Sequence, residues 1–291
     1  PLAMIEVGGV VYAAFDGVGV LRSNANTGSP LAAWSSANNL HSDTVTHMTT
    51  SGNQLLLGSP DNGLARFDYV AGFWLSTWNS GNWLASDFIA GLARVGPTLF
   101  ILNGDSLHTY NTTNGVFSTT YALTTLGLAD DGASLLHWPS NGLASPAVEA
   151  LLVDDGSGNL IHLSPNQVPF IEGNMLLASA PSTDDLTALV ELDNMLYVGS
   201  ADNSMKLLRY DIAQSAWMAP WTLSDNVLDM VVGPSAQQGS TSSLFVAMEG
   251  TPSVVEIDTN GNTIQSYDGT SGCYPSSTTV LDVPVNTDSD V

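Results

Sequence analysis

The sequence predicts an all-β chain folded as a β-propeller of four-stranded antiparallel blades, with six complete blades favoured over seven. Three observations predict it. Residues 40–48 (LHSDTVTHM), 84–92 (LASDFIAGL) and 128–136 (LADDGASLL) repeat one pattern at an offset of 44, and looser copies follow at 182–189, 223–230 and 276–283. Each copy leads into short apolar runs punctuated by Gly, Asn, Asp and Ser. No stretch of 11 residues or more carries helical periodicity. A recurring unit of 40–45 residues with four strands is the pattern of propeller blades, since one such sheet cannot bury both of its faces alone.

The second strand of each unit reads VVYAAF (10–15), QLLLGS (54–59), TLFIL (98–102), EALLVD (149–154), MLYVGS (195–200) and SLFVAM (243–248). A third follows as GVLRS (19–23), GLARFD (63–68), SLHTYN (106–111), NLIHLS (159–164), KLLRYD (206–211) and SVVEID (253–258). The fourth tends to close on an aromatic: Trp34, Trp78, Tyr121, Trp221 and Tyr267. One propeller domain over 1–291 results, with blades at about 1–43, 44–87, 88–131, 132–184, 185–225 and 226–277. Residues 278–285 read as a trailing strand, either the start of a seventh blade or a closure strand. Segments 137–149, 172–185, 233–243 and 268–277 read as insertions or long loops.

The stretch Asp61-Asn62-Gly63 between the second and third strands is read as a turn, because related turns recur at Asp16-Gly17, Gly104-Asp105, Asp154-Asp155-Gly156 and Asp202-Asn203. Ser59, Asp61 and Gly63 match part of a sialidase-type Asp box, but Ala65 and Arg66 stand where its Thr and Trp belong. The acid before each first strand also recurs: Asp43, Asp87, Asp131, Asp184 and Asp225. Placed at a channel mouth, these carboxylates would bind cations or basic partners; alternatively each closes its own interblade turn by accepting backbone N–H groups. Trp83 and Trp138 lie in or beside irregular segments and are the aromatic binding candidates. The candidate binding set is therefore Asp43, Asp87, Asp131, Asp184, Asp225, Trp83 and Trp138.

The blade wording is similar to the regulator-propeller type of repeat, found in the periplasmic sensing regions of two-component sensors and in related surface proteins. Residues 55–68 (LLLGSPDNGLARFD) are the closest copy, 196–211 a looser one, and 83–101 resemble that family's linker, whereas units four and six depart from it. The resemblance implies a sensor or surface domain, periplasmic or extracellular, within a larger protein. It carries over no catalytic residue.

Composition narrows the partners. There are 28 Asp and Glu against 5 Lys and Arg, a formal charge of −23, yet only 11% of residues are charged. No basic face can be assembled from Arg22, Arg66, Arg94, Lys206 and Arg209, so nucleic acid is not an expected partner. No run reaches the ~18 apolar residues of a membrane helix, so direct membrane insertion is not expected either. The Ser, Thr, Asn and Gly that fill polar positions fit a soluble extracellular domain, and a monomeric one is expected. The chain opens Pro-Leu-Ala-Met and reads as cut from a longer protein.

The lone Cys273 allows no internal disulfide, and the five histidines form no recognisable ligand pair. Oxygen-rich loops at 154–159 and 258–262 leave calcium as the one cofactor to consider, otherwise none. With no nucleophile elbow or phosphate loop, the sequence points to a non-enzymatic module that recognises a protein, glycan or small ligand through its loop face. The alternative is a hydrolase or lyase with an acidic, calcium-assisted site at the channel mouth.

Overall fold

In the computed structural model, the described residues are 2–126, 134–138, 150–154, 159–164, 170–176, 186–200, 206–214, 216–233, 242–249 and 254–267. They form six four-stranded antiparallel sheets, each a meander in chain order, the blades of an all-β propeller. The chain divides into two compact units, Pro1–Pro139 with Glu149–Leu176, and Ser140–Val148 with Leu177–Val291.

The first unit holds four sheets. Its strands are β1 (Ala3–Val7), β2 (Val10–Phe15), β3 (Gly19–Asn24) and β4 (Pro30–Trp34), then β5 (His47–Ser51), β6 (Gln54–Gly58), β7 (Leu64–Asp68) and β8 (Phe73–Trp78). The third sheet is β9 (Ile89–Val95), β10 (Thr98–Asn103), β11 (Ser106–Asn111) and β12 (Val116–Ala122); the fourth is β13 (Ser134–Trp138), β14 (Ala150–Asp154), β15 (Asn159–Ser164) and β16 (Phe170–Leu176). Within this unit, β5 lies beside β1, β9 beside β5 and β13 beside β9. The second unit holds β17 (Leu186–Leu192), β18 (Met195–Ser200), β19 (Lys206–Asp211) and β20 (Ala216–Thr222), then β21 (Val227–Gly233), β22 (Ser243–Met248), β23 (Val254–Ile257) and β24 (Thr263–Tyr267), with β21 beside β17.

Three boundaries differ from the sequence expectation, one of them at Gly233, read as loop, which ends β21 paired with Ser243. His137 and Trp138, read as the start of an insertion, belong to β13, paired with Leu151 and Ala150. Residues 172–176, read as loop, finish β16 because Met175 and Leu176 continue a ladder with Leu160 and Asn159. The trailing segment 278–285 and the loops at 234–241 and 268–277 lie outside the described residues, as does Cys273.

The core lies between neighbouring sheets. Tyr12, Val20 and Trp34 of the first sheet pack on Leu55, Leu57 and Phe67 of the second, and Leu56, Leu64 and Trp78 pack on Leu99, Ile101 and Tyr110 of the third. In the other unit, Tyr197 and Leu207 meet Val227, Leu244 and Val246. The Gly-Ser step that ends the second strand has a packing cause. A Cβ on Gly58 would stand 2.8 Å from Ile89 Cγ2, and one on Gly199 2.4 Å from Val227 Cγ1, so glycine admits the β-branched residue that opens the next blade.

All six sheets share one irregularity, a register shift where the fourth strand pairs with the third. A bulge leaves a carbonyl without its ladder partner. Arg22 Nη1 donates to Ala32 O at 3.2 Å, Arg66 Nη1 to Ser76 O at 3.2 Å, and Arg209 Nη1 to Ala219 O at 3.3 Å. The same guanidiniums lie over Trp34, Trp78 and Trp221 at 4.3, 4.2 and 4.3 Å from the ring centroids. The third sheet solves the problem with a hydroxyl: Thr109 Oγ1 donates to Thr119 O and accepts from Thr119 N.

Gly63 and Gly72 separate two penalties in one blade. Both have left-handed φ, +76 and +78, but a Cβ on Gly63 would sit 2.2 Å from Trp78 O while one on Gly72 would meet nothing within 4 Å. Gly72→Ala is expected to cost about 1 kcal/mol of backbone strain. Gly63→Ala should cost at least about 2 kcal/mol more in urea unfolding, through displacement of the strand-four carbonyl. Equal costs would mean the close approach does not constrain the turn.

Candidate functional site

The sequence candidates centre on the linker that carries the chain from the fourth strand of one blade to the first of the next. Three such linkers are described in full, 35–46, 79–88 and 223–226, and the closing bonds of the first two superpose at the offset of 44. Asn38 Oδ1 accepts from Ser35 N and its Nδ2 donates to Ala33 O; Asn82 does the same with Asn79 N and Thr77 O. Ser42 Oγ accepts from Thr44 N, and Ser86 Oγ from Phe88 N. The recurring aspartate closes the loop. Asp43 takes Ser36 N at 2.6 Å and Ser36 Oγ at 2.5 Å, and Asp87 takes Ser80 N at 2.7 Å. The Ser36 hydroxyl and then its amide hold the Asp43 carboxyl below its usual range.

Asp225, in the second unit, has different surroundings. It follows Trp221 by four positions, whereas Asp43 follows Trp34 by nine, so the Ser-x-Asn element of the first two linkers has no counterpart before it. Its Oδ1 accepts from the N–H of Asn226, the next residue. Asp131 and Asp184 lie outside the described residues.

The turn at Asp61 docks on the second linker. Ser59 Oγ accepts from Asn62 N at 2.9 Å and donates to Gly63 O at 3.1 Å, so the Ser59 hydroxyl closes the turn and the Asp61 carboxylate stays exposed. Gly63 N then donates to Asp87 O at 2.8 Å, and Ile89 N donates back to Ser59 O at 3.0 Å. Gly19 N repeats the first of these bonds with Asp43 O at 2.8 Å.

Against this shared frame two side chains stand out. Trp83 occupies the place of Asn39, and Phe88 the place of Thr44. Trp83 is 59% exposed and Phe88 42%. The Trp83 ring stacks on Phe117 of β12 with centroids 5.7 Å apart and planes 9° apart. Phe117 is in turn set edge-on against Trp78 and Tyr110. In the first linker Thr44 is instead a stitch: its hydroxyl donates to Asp16 Oδ1 and accepts from Gly17 N. Asn39 takes φ +81, a left-handed conformation that suits Asn and that a bulky aromatic avoids.

The structure thus brings Asp87, Trp83, Phe88 and Asp61 together on one end of the second and third blades. Trp138 is not with them: as the last residue of β13 it belongs to the end that carries the strand-one to strand-two connection, opposite the linkers. Phe88 and its support Phe117 are absent from the sequence candidates, although laying 34–48 over 78–92 exposes the Thr-to-Phe change. Among the described residues, no three His, Cys, Asp or Glu gather closely enough to hold a metal ion. Asp258, in an oxygen-rich loop, accepts from Asn260 N, Asn262 N and Asn262 Nδ2 within its own turn.

No protein-family model and no curated protein matches this sequence. Solved structures do match it. The WD40 domain of Neurospora crassa Pan2 is similar with a TM-score of 0.62 at 8% identity, over 91% of this chain and 78% of that one. Saccharomyces cerevisiae Sqt1 gives 0.62 at 12%, over 89% and 70%. A chain of the mitotic checkpoint complex gives 0.61 at 14%, over 89% and 76%. At such identities the likeness establishes the propeller fold alone.

Two tests follow from the site's electrostatics. Burial pushes His47 down to about 4 from an ordinary 6.5, with only Thr46 Oγ1 at 3.0 Å for its Nδ1. Between those values the unfolded chain binds the proton more readily. The neutral ring's contribution is therefore whole above pH 6.5 and lost as pH falls toward 4, by up to about 3 kcal/mol. Urea midpoints between pH 7 and 4 should fall with that slope, and His47→Gln should flatten it. The second test concerns Arg66, whose Nε donates to Gln54 Oε1 at 3.1 Å, whereas Arg22 and Arg209 have buried Nε atoms without a partner. Gln54→Leu should lower stability by about 1–2 kcal/mol. No loss would mean the tryptophan face alone satisfies the cation.

Proposed function

We propose that this chain is a non-enzymatic interaction module, a propeller placed outside the cytoplasm in a larger surface or sensor protein, that engages its partner through the linker end of the second and third blades. One observation carries the reading. The first two linkers share the bonds that close them, through Asn38 and Asn82, Ser42 and Ser86, and Asp43 and Asp87, yet only the second presents exposed aromatics, Trp83 at 59% and Phe88 at 42% exposure. Side chains repeated between blades are accounted for by the scaffold. An aromatic pair that replaces a stitching Thr and a turn-forming Asn has no such account, and exposed Trp and Phe are the residues that anchor interfaces.

The blade wording at 55–68 supports placement in a periplasmic or extracellular sensor, and the near-absence of free cations agrees with a protein that avoids anionic surfaces. WD40 propellers among the structural relatives are consistent with an interaction role. The carboxylates of Asp43 and Asp87 already accept loop N–H groups, which leaves them as positioning elements of the linker rather than as a reacting pair.

Photo-crosslinking tests the assignment. A benzophenone amino acid at position 83 or 88 should give a discrete adduct in the native host. The same probe at Val70, 67% exposed at the other end of the second blade, should not. Adducts equal at all three positions would remove the surface. Turnover of a hydrolase or lyase substrate, abolished by Asp87→Asn in a folded protein, would replace the reading with an enzymatic one.

A further inference from the structure

The interaction reading leaves the partner's chemistry open, and the geometry carries it further. We propose that the surface formed by Asp61, Trp83 and Phe88 receives an arginine- or lysine-bearing peptide segment of another protein, the cation lying over the open face of Trp83 beside the Asp61 carboxylate. The proposal rests on the interaction reading above and deepens it.

Phe88 and Asp61 are held together by the backbone. The residues on either side of Phe88 are both bonded to the Asp61 turn, through Gly63 N to Asp87 O at 2.8 Å and Ile89 N to Ser59 O at 3.0 Å. Asp61 has no part in closing that turn, because Ser59 Oγ does so. Its exposed carboxylate is therefore structurally dispensable and chemically open. Trp83, on the same linker, has one face covered by Phe117 at 5.7 Å and the other turned to solvent. A ring fixed from behind offers a rigid platform, with little side-chain entropy to lose on contact.

The chain itself displays the chemistry that such a platform accepts. Three of its tryptophans, Trp34, Trp78 and Trp221, each carry an arginine 4.2–4.3 Å from the ring centroid. Trp83 is itself 59% exposed, and among the described residues no guanidinium lies over it. The protein has 5 cations in all, three of which are engaged in these internal clamps, and Arg94 Nε is turned to Gly96 O. At a formal −23, the surface attracts a cation from a partner to a platform that no arginine of the described residues covers. An anionic ligand would be repelled. A neutral glycan could stack on Trp83 but would gain nothing from Asp61.

Calorimetric titration with a synthetic alternating Gly-Arg octapeptide tests this, against Gly-Glu and Gly-Gln octapeptides and a neutral oligosaccharide. The arginine peptide alone should bind, and more weakly as salt rises. Trp83→Ala should weaken it about 10-fold, Trp83→Phe less, and Asp61→Asn about 3-fold. Asp68→Asn is the charge control: it sits at the other end of the same sheet, and its Oδ1 bonds to Val70 N and Ala71 N can be kept by the amide. It should change affinity less than about twofold.

Equal losses for Asp61→Asn and Asp68→Asn would reduce the effect to bulk charge and overturn the proposal. Oligosaccharide binding that needs Trp83, with no arginine-peptide binding, would overturn the cationic partner while keeping the interaction surface. Silence in every titration together with no crosslink at 83 or 88 would remove both. Near-ultraviolet circular dichroism of each variant separates lost contacts from lost fold.

Discussion

The bond from Gly63 N–H to the Asp87 carbonyl, copied as Gly19 to Asp43, is the constraint on which the rest depends. A blade must pass its chain from the fourth strand across to the first strand of the next sheet, and that passage has no ladder of its own to satisfy its backbone. Anchoring it on the strand-two to strand-three turn solves the problem, but only if the anchoring residue brings its N–H close beneath the carbonyl of the last strand-four tryptophan. Glycine alone can do so, at φ +76 and +91, since a Cβ would lie 2.2 Å from Trp78 O or Trp34 O. From this follow the fixed turn, the fixed spacing of 44, and a linker whose remaining polar groups must close on themselves.

A second consequence concerns charge. The bulge between strands three and four leaves a carbonyl that three blades satisfy with an arginine lying flat on tryptophan. Guanidinium suits the place because it donates in its plane while its face meets the ring, which lysine cannot do. So most of the chain's few cations are internal fittings, and the outward charge is more one-sided than the composition suggests. The pairing that holds the blades thereby removes the groups that would have neutralised their surface.

Much of the architecture was legible in the sequence. Offset copies such as 54–59 and 98–102 placed strands within a residue or two, because their alternation and Gly-Asp punctuation are local properties of the chain. What failed was also local in origin. His137 and Trp138 read as loop because Pro139 and the polar run behind them mask the end of β13, whose pairing with β14 spans an insertion. At the candidate site, the recurring aspartates and their closure of the interblade turn through backbone N–H groups were legible, but the donors Ser36 and Ser80 were not, since they lie seven positions away in an irregular loop. Phe88 was hidden for a different reason: in strand context an aromatic reads as core, and only the superposed linkers reveal that its counterpart, Thr44, is a stitch.

Repetition therefore serves as an internal control on function. When two loops share the hydrogen bonds that close them, a side chain that differs between them and takes no part in that closure is released from the scaffold's demands. Losing the Thr44 hydroxyl in favour of Phe88 gives up two bonds to the Asp16 turn, and exposing a phenyl ring to water is itself unfavourable. The second linker carries both penalties yet keeps its closing bonds, with Gly63 and Ser59 holding it from the neighbouring turn. A scaffold robust enough to accept that substitution is one on which a contact surface can be changed without disturbing the blades beneath, and the stacked Trp83–Phe117 pair lies where that freedom is greatest.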